Sequence, residues 1–171
     1  MAELTPKERL QPSLLDRLTD NAPDRKIESR DQRVLSPQRL RESVRRDLTW
    51  LFNSINLASV EDLEGLPEVE RSTVNFGLPS LTGHTASSIH APTLEKLLRR
   101  AIWDFEPRLI KESVRVKLAH DPHGFGPNAV CILIEAQLWA QPMPLRLFLR
   151  TDLDLETGEA LVSEVSAGPG E

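Results

Sequence analysis

The side chains most capable of catalysis in this sequence are carboxylates on two predicted helices. Asp104 and Glu106 lie near the end of the second helix, and Glu42 and Asp47 lie on the first. A retaining glycosidase needs two carboxyl groups about 5 Å apart, one with a pKa raised by apolar surroundings. However, Arg108 follows Glu106 closely, and a nearby guanidinium lowers a carboxyl pKa, which does not suit a general acid. With no tyrosine and 5% aromatic residues, sugar-stacking surfaces are also scarce. We therefore predict no catalytic residue and no enzymatic activity.

Glu106 closes its helix, where the backbone carbonyls disfavour an unpaired carboxylate by about 0.3–1 kcal/mol. Pro107 ends the helix, so Glu-Pro-Arg forms a rigid corner that holds a carboxylate and the Arg108 guanidinium in a fixed relation. Two interpretations stay open. In the first, Glu106 and Arg108 form an ion pair that caps the turn within the chain. In the second, both groups bind another subunit. Arginine suits the second interpretation because it pairs bidentately across interfaces.

Trp103 supports the interface interpretation. On a helical wheel it lies opposite Leu94 and Leu98 and beside Lys96 and Arg99, on the polar face. A tryptophan in that position is a natural interface anchor, although the arm or the long loop of the same chain could instead cover it. The residues that we predict to bind a partner are Glu106, Pro107, Arg108 and Trp103.

No metal or cofactor is predicted. His120 and His123 have an H-x-x-H spacing, but metal sites usually need three or four ligands. Cys131 lies in an apolar run, where we expect a buried, reduced thiol. The glycines are too scattered for a phosphate loop or a dinucleotide fingerprint.

A length of 171 residues predicts about one domain with tails. The longest apolar run, residues 129–134, is too short to span a membrane, and the charged N-terminus does not resemble a signal peptide. We therefore expect a cytoplasmic protein without an integral membrane segment. The net charge of −5 is distributed in blocks of opposite sign. Such blocks suit several protein partners, whereas nucleic-acid binding usually needs a concentrated basic patch.

The elements that position these residues follow from capping signals and periodicity. Residues 1–35 read as an arm with one short helix, whose leucines behind Ser13 would dock on the main domain or on a partner. Residues 36–165 form the domain. Its first long helix starts at Ser36-Pro37, with an apolar stripe from Leu40 to Leu51 that continues to Ile55. A second long helix spans about 92–106, after a long connection that ends in a flexible loop at 79–91.

Period-two alternation then predicts strands at about 114–118, 129–139, 145–155 and 160–165. Helices followed by a strand meander indicate an α+β fold. The arm and the two long helices should pack on a C-terminal antiparallel sheet of about four strands. Residues 166–171 read as a flexible tail. An open sheet leaves two edges, and we expect the last strand to expose its edge at Val162.

Six segments in the same order resemble one known family. The segments are residues 9–18, 40–51, 72–79, 105–110, 139–145 and 154–159. They resemble the TssE family, the baseplate subunit of the bacterial type VI secretion system, which is similar to the lysozyme-like wedge protein of contractile phage tails. In that family the Glu-Pro-Arg corner is a hallmark.

The resemblance implies a structural α+β wedge subunit within the cytoplasmic baseplate. Its partners would be other wedge subunits and the contractile sheath, whose assembly it would help to initiate. Because sheath subunits are thought to exchange strands, the resemblance also implies that the edge at Val162 pairs with a sheath segment. The lysozyme-like label of the phage relatives leaves a peptidoglycan-cleaving glycosidase as the alternative function.

Overall fold

A computed structural model describes residues 13–19, 23–24, 36–83, 85, 88–119, 128–140 and 143–165. The predicted histidine loop, most of the arm and the tail 166–171 lie outside these residues. The helices are α1 (Leu14–Leu18), α2 (Pro37–Phe52), α3 (Pro67–Glu70) and α4 (Ala91–Phe105), with single 3₁₀ turns at Leu57–Ser59, Thr73–Asn75 and Lys111–Ser113. The strands are β1 (Arg115–Ala119), β2 (Ala129–Leu138), β3 (Leu145–Asp154) and β4 (Ala160–Glu164).

The long helices begin and end where their local chemistry predicts. The Ser36 side chain caps α2 by accepting a hydrogen bond from the Arg39 N–H, and Pro37 occupies the first turn. The predicted apolar stripe of α2 is buried from Leu40 to Leu51. Its extension to Ile55 is wrong, because the helix ends at Phe52 and Ile55 is exposed.

The four strands form an antiparallel meander in the order β1-β2-β3-β4. Val116 pairs with Ile134, Ile134 with Leu149, and Thr151 with Val162. These positions share the inner face of the sheet, which packs with α2 and α4 in one hydrophobic core. The predicted α+β fold, with two long helices on a C-terminal antiparallel sheet, is confirmed. No helix in the described ranges is long and apolar enough to span a membrane.

Helix α1 is attached to α2 by an ion pair rather than by its leucines. Asp16 accepts a hydrogen bond of 2.6 Å from Arg46, and it also completes a capping box with Ser13. Leu14 and Leu18 remain largely exposed. The predicted docking of the short helix on the main domain therefore occurs through charge, which leaves its apolar side chains uncovered.

On each edge strand of the sheet, one residue is hydrogen-bonded through its backbone by a side chain of a long helix. On β4, the Asn53 amide at the end of α2 bonds the N–H and the C=O of Ala160. On β1, the Glu95 carboxylate of α4 accepts a hydrogen bond of 2.9 Å from the Leu118 N–H. Val162, midway along β4, is only 2% exposed. The expectation of an exposed edge at Val162 is therefore wrong, because α2 packs along this strand.

Candidate functional site

The end of α4 forms a corner in which Glu106 and Arg108 pair closely. Glu106 is the C-cap residue, and its N–H still donates to the Ile102 carbonyl. One carboxylate oxygen, Oε1, accepts hydrogen bonds from the Arg108 N–H at 3.1 Å and from Nε at 2.7 Å. The other, Oε2, accepts from Nη2 at 2.5 Å. The guanidinium thus binds the carboxylate through two nitrogens, the strongest geometry for this pair.

Helix α2 supplies two further partners to Arg108. Nη2 donates to the Asp47 carboxylate at 2.5 Å, and Nη1 donates to the Ser43 hydroxyl at 3.1 Å. Ser43 and Asp47 are four residues apart, so they lie on the same face of the helix. The corner also joins the sheet, since the Trp139 N–H donates to the Arg108 carbonyl at 2.8 Å. Arg108 therefore connects both long helices to the end of β2.

The charges continue from this corner to the arm. Asp47 accepts a second hydrogen bond, of 2.9 Å, from Arg46, which in turn pairs with Asp16 of α1. The Arg46 guanidinium also lies 5.1 Å from the centre of the Trp50 ring, a cation–π contact. The result is a network of alternating charge, which we call the charge network. Its members are Asp16, Arg46, Asp47, Arg108 and Glu106.

Burial and pairing act in opposite directions on the network's charges. Glu106 is 3% exposed, and the Arg108 side chain is 20% exposed. Burial alone lowers the pKa of Arg108, but its bonds with Glu106 and Asp47 outweigh that effect and raise the pKa above its usual value. At Asp16, burial raises the pKa, but hydrogen bonds from Ser13 and Arg46 outweigh it and lower the pKa below 3.8. Arg108 and Asp16 are therefore both charged at neutral pH.

This geometry holds helices together and is unsuited to glycoside hydrolysis. One oxygen of Asp47 and one of Glu106 are no more than about 5 Å apart, because both lie 2.5 Å from the same nitrogen. That separation resembles the carboxyl spacing of a retaining glycosidase. However, the Arg108 guanidinium occupies the space between them, and both oxygens of Glu106 accept its hydrogen bonds. Neither oxygen is free to protonate a leaving group.

Trp103 lies outside the charge network. It is half-buried against the hydrophobic core, and its indole N–H donates to the Lys111 carbonyl at 2.9 Å. The Arg99 guanidinium lies 5.4 Å from the ring centre. The turn at 111–113 of the same chain therefore covers one edge of the indole. Three of the four predicted site residues, Glu106, Pro107 and Arg108, form the corner, and Pro107 is exposed. The fourth, Trp103, lies on the neighbouring surface of α4.

Several contacts of the corner and of the charge network were not predicted from the sequence. Asp47 and Ser43 lie beside the apolar stripe of α2, and this position is the signal that could have identified them. The link from Arg46 to Asp16 spans 30 residues and has no local signal. Among the described residues, no group of His, Cys, Asp and Glu could hold a metal ion. Cys131 is buried, as predicted.

Comparison with known protein families gives a match. The family model described as "Baseplate wedge protein gp25" matches residues 38–143, which is more than half of the chain. The matched region includes α2, α4 and the Glu106–Arg108 corner. Neither the curated proteins nor the solved structures contain a match to this chain.

Proposed function

The chain belongs to the gp25 family of baseplate wedge proteins, and from this premise we propose that it is a wedge subunit of a type VI secretion baseplate. In this role it connects other wedge subunits to the contractile sheath and helps to initiate sheath assembly, on the cytoplasmic side of the cell envelope. The order of TssE-like segments along the chain supports this proposal, and so does the family match across the Glu-Pro-Arg corner.

The burial of Glu106 and its pairing with Arg108 are the observations that support the proposed mode of contact. Because Glu106 is 3% exposed and both its oxygens bind Arg108, we expect that a neighbouring subunit does not pair with this carboxylate. Pro107 is exposed, and one Nη1 hydrogen of Arg108 has no acceptor within the described ranges. We propose that a wedge partner packs on Pro107 and accepts this hydrogen bond, while Glu106 and Asp47 set the shape of the corner. Trp103 would extend the same contact along α4.

Co-purification with the other wedge subunits tests this contact. Pro107→Ser keeps the charge network but alters the exposed apex, so it should reduce complex yield without lowering the melting temperature. Trp103→Ala should also weaken binding, by about 2 kcal/mol if it is an anchor. The matched control is Asp104→Ala, which removes only the exposed i,i+4 pair with Arg100. Normal complex yield with both site variants would disprove this mode of contact.

The covered edge of β4 changes the proposed contact with the sheath. Pairing of a sheath strand at Val162 would require α2 to move, because Asn53 and the body of α2 cover that edge. We therefore propose that the sheath docks on the outer face of α2, where Arg45 and Trp50 are exposed. Tryptophan and arginine are the residues most enriched among interface hot spots.

Sheath polymerisation on a preassembled wedge tests this surface. Trp50→Ala combined with Arg45→Ala should block sheath recruitment while the wedge complex still forms. Leu161→Ala is the control, since Leu161 is exposed on the opposite face of the sheet. Unchanged polymerisation with the double variant, in a folded protein, would refute docking on α2.

A further inference from the structure

Residues 55–78 form a loop whose two ends are hydrogen-bonded together; we call it the closed loop. Ile55 and Leu78 pair as a parallel bridge. The Asn56 N–H donates to the Leu78 carbonyl at 3.0 Å, and the Leu78 N–H donates to the Ser54 carbonyl at 2.8 Å. Gly77 adopts φ +129°, and a Cβ at this position would lie 2.4 Å from the Ser54 carbonyl oxygen. The base of the loop is therefore closed by backbone contacts that only glycine permits.

The interior of the closed loop is held by one buried asparagine. The Asn75 side chain accepts a hydrogen bond of 2.8 Å from the Ala58 N–H and donates one of 2.8 Å to the Glu70 carbonyl. It thereby joins the two 3₁₀ turns and α3. The Ser72 hydroxyl adds a bond of 2.9 Å to the Val69 carbonyl. These contacts fix the conformation of the loop from within.

This fixed conformation presents aliphatic side chains to solvent. Ile55, Val60, Leu66 and Val74 are between 50% and 76% exposed. Single exposed aliphatic residues are ordinary, but four of them within one closed loop of the chain are more than a loop needs, and exposed apolar groups are typical of binding sites. The loop also has a concave surface. Its lining includes Ala58, Leu63, Pro67 and the carboxylates Glu61, Asp62 and Glu70.

The charge of the closed loop indicates which partner fits these apolar side chains. The loop has five carboxylates and one arginine, a net charge of −4, whereas the whole chain has −5. Within the described ranges, none of the five carboxylates pairs with a cation; the ion pairs lie elsewhere in the fold. A partner with apolar groups and several positive charges would therefore complement both properties of the surface.

We propose that the closed loop docks a basic amphipathic segment of another protein, in which Lys or Arg residues alternate with aliphatic residues. The aliphatic side chains of that segment would pack on Val60, Leu66 and Val74. Its cations would face Glu61, Asp62 and Glu64. The proposal goes beyond the wedge assignment and does not depend on it, since it rests on the loop alone.

Fluorescence anisotropy with the full chain tests this proposal. The probe is a short labelled amphipathic peptide of Leu and Lys, compared with its Leu and Glu counterpart. Wild-type protein should bind the Lys peptide, more weakly at high salt, and should not bind the Glu peptide. The triple variant Glu61→Gln, Asp62→Asn, Glu64→Gln should weaken binding about tenfold or more. The double variant Val60→Ser, Val74→Ser should do the same.

A matched control removes equal charge elsewhere. Glu112→Gln, Glu135→Gln and Glu159→Gln change three exposed carboxylates outside the loop and should leave binding within about twofold. An equal loss in this control would overturn the proposal in favour of general charge attraction. Unchanged binding of the valine variant would overturn it as well.

Ultracentrifugation tests a second copy of the chain as the occupant. If it shows a dimer that the valine variant abolishes, a second copy is the occupant and the proposal is also overturned. The assay contains no baseplate protein, so its result is independent of the wedge assignment.

Discussion

Asn53 and Ala160 are joined by two hydrogen bonds between a side-chain amide and a strand backbone. Asn53 Nδ2 donates to the Ala160 carbonyl at 2.8 Å, and the Ala160 N–H donates to Oδ1 at 2.9 Å. The amide therefore occupies the backbone groups that a neighbouring strand would use. Nδ2 also donates to the Thr49 carbonyl at the end of α2. One side chain thus completes both a helix terminus and a sheet edge.

Replacing Asn53 by alanine should lower the free energy of unfolding by about 1–3 kcal/mol, because backbone groups of Ala160 lose their partners in a part-buried site. Urea denaturation measures this change. Asn128→Ala is the control, since its side chain donates a hydrogen bond to the exposed Glu156 carboxylate and its backbone bond with Leu155 is kept; its effect should stay within about 0.5 kcal/mol. Equal effects of the two substitutions would contradict the edge role of Asn53.

Gly77→Ala should destabilise the protein more than Gly65→Ala. Both glycines have positive φ, which costs an alanine about 1–2 kcal/mol. At Gly65 a Cβ meets nothing within 4 Å, whereas at Gly77 it meets the Ser54 backbone. We expect a further penalty of about 1–3 kcal/mol from this overpacking. Melting temperatures of the two variants provide the comparison, and equal values would contradict the closure of the loop base.

Glu106→Ala should cost about 1–3 kcal/mol of stability. Removal of one member of a fully buried ion pair typically costs 3–5 kcal/mol. The cost is smaller here because the Arg108 side chain is 20% exposed and keeps Asp47 as a partner. Asp104→Ala, which breaks the exposed pair with Arg100, should change stability by less than about 1 kcal/mol. Chemical denaturation of both variants, analysed together, tests whether the corner is structural.

The attachment of α1 should depend on pH through Asp16. Because its folded-state pKa lies below the usual 3.8, its stabilising effect is complete above about pH 5. This stabilisation is lost as the pH falls below 3.8 and Asp16 becomes protonated in the folded protein, at its lowered pKa. The protection factors of the α1 amides, which compare their exchange with that of an unfolded chain at the same pH, should therefore fall in this acid range. In Asp16→Asn the protection factors should be low at every pH, and an acid-dependent loss of protection that persists in this variant would contradict the role of Asp16.

The purified chain should not clear a peptidoglycan suspension, because Arg108 occupies the space between the two nearest carboxylates. A turbidity assay measures this directly. Clearing that Glu106→Gln abolishes would overturn the structural assignment and restore the glycosidase alternative.

The features predicted correctly from the sequence are those with local causes. Ser36 and Pro37 start α2 through contacts within one turn, and alternation identifies the four strands because side-chain direction has a period of two. The Glu106–Arg108 pair was one of two open interpretations of the corner, and it too is local, since the residues are two apart.

The features that were missed depend on contacts between distant parts of the chain. Asn53 and Ala160 are 107 residues apart, and Arg108 and Asp47 are 61 apart. A single sequence contains no periodic signal for such pairs. The error at Val162 has the same origin. An edge strand was inferred correctly, but its exposure depends on where α2 lies, which periodicity along the strand does not indicate.

The base of the closed loop also has a consequence for how this protein can diversify. Ile55, Gly77 and Leu78 close the base with backbone contacts, and residues 57–71 contribute no side chain to the hydrophobic core cluster. We therefore expect that the register of the strands and the path of α2 do not depend on these side chains. Consequently, a different sequence should be able to replace residues 57–71 while the long helices and the strands of the subunit keep their positions. A chimera with a foreign insert between these points should fold normally and differ only in the partner that it selects.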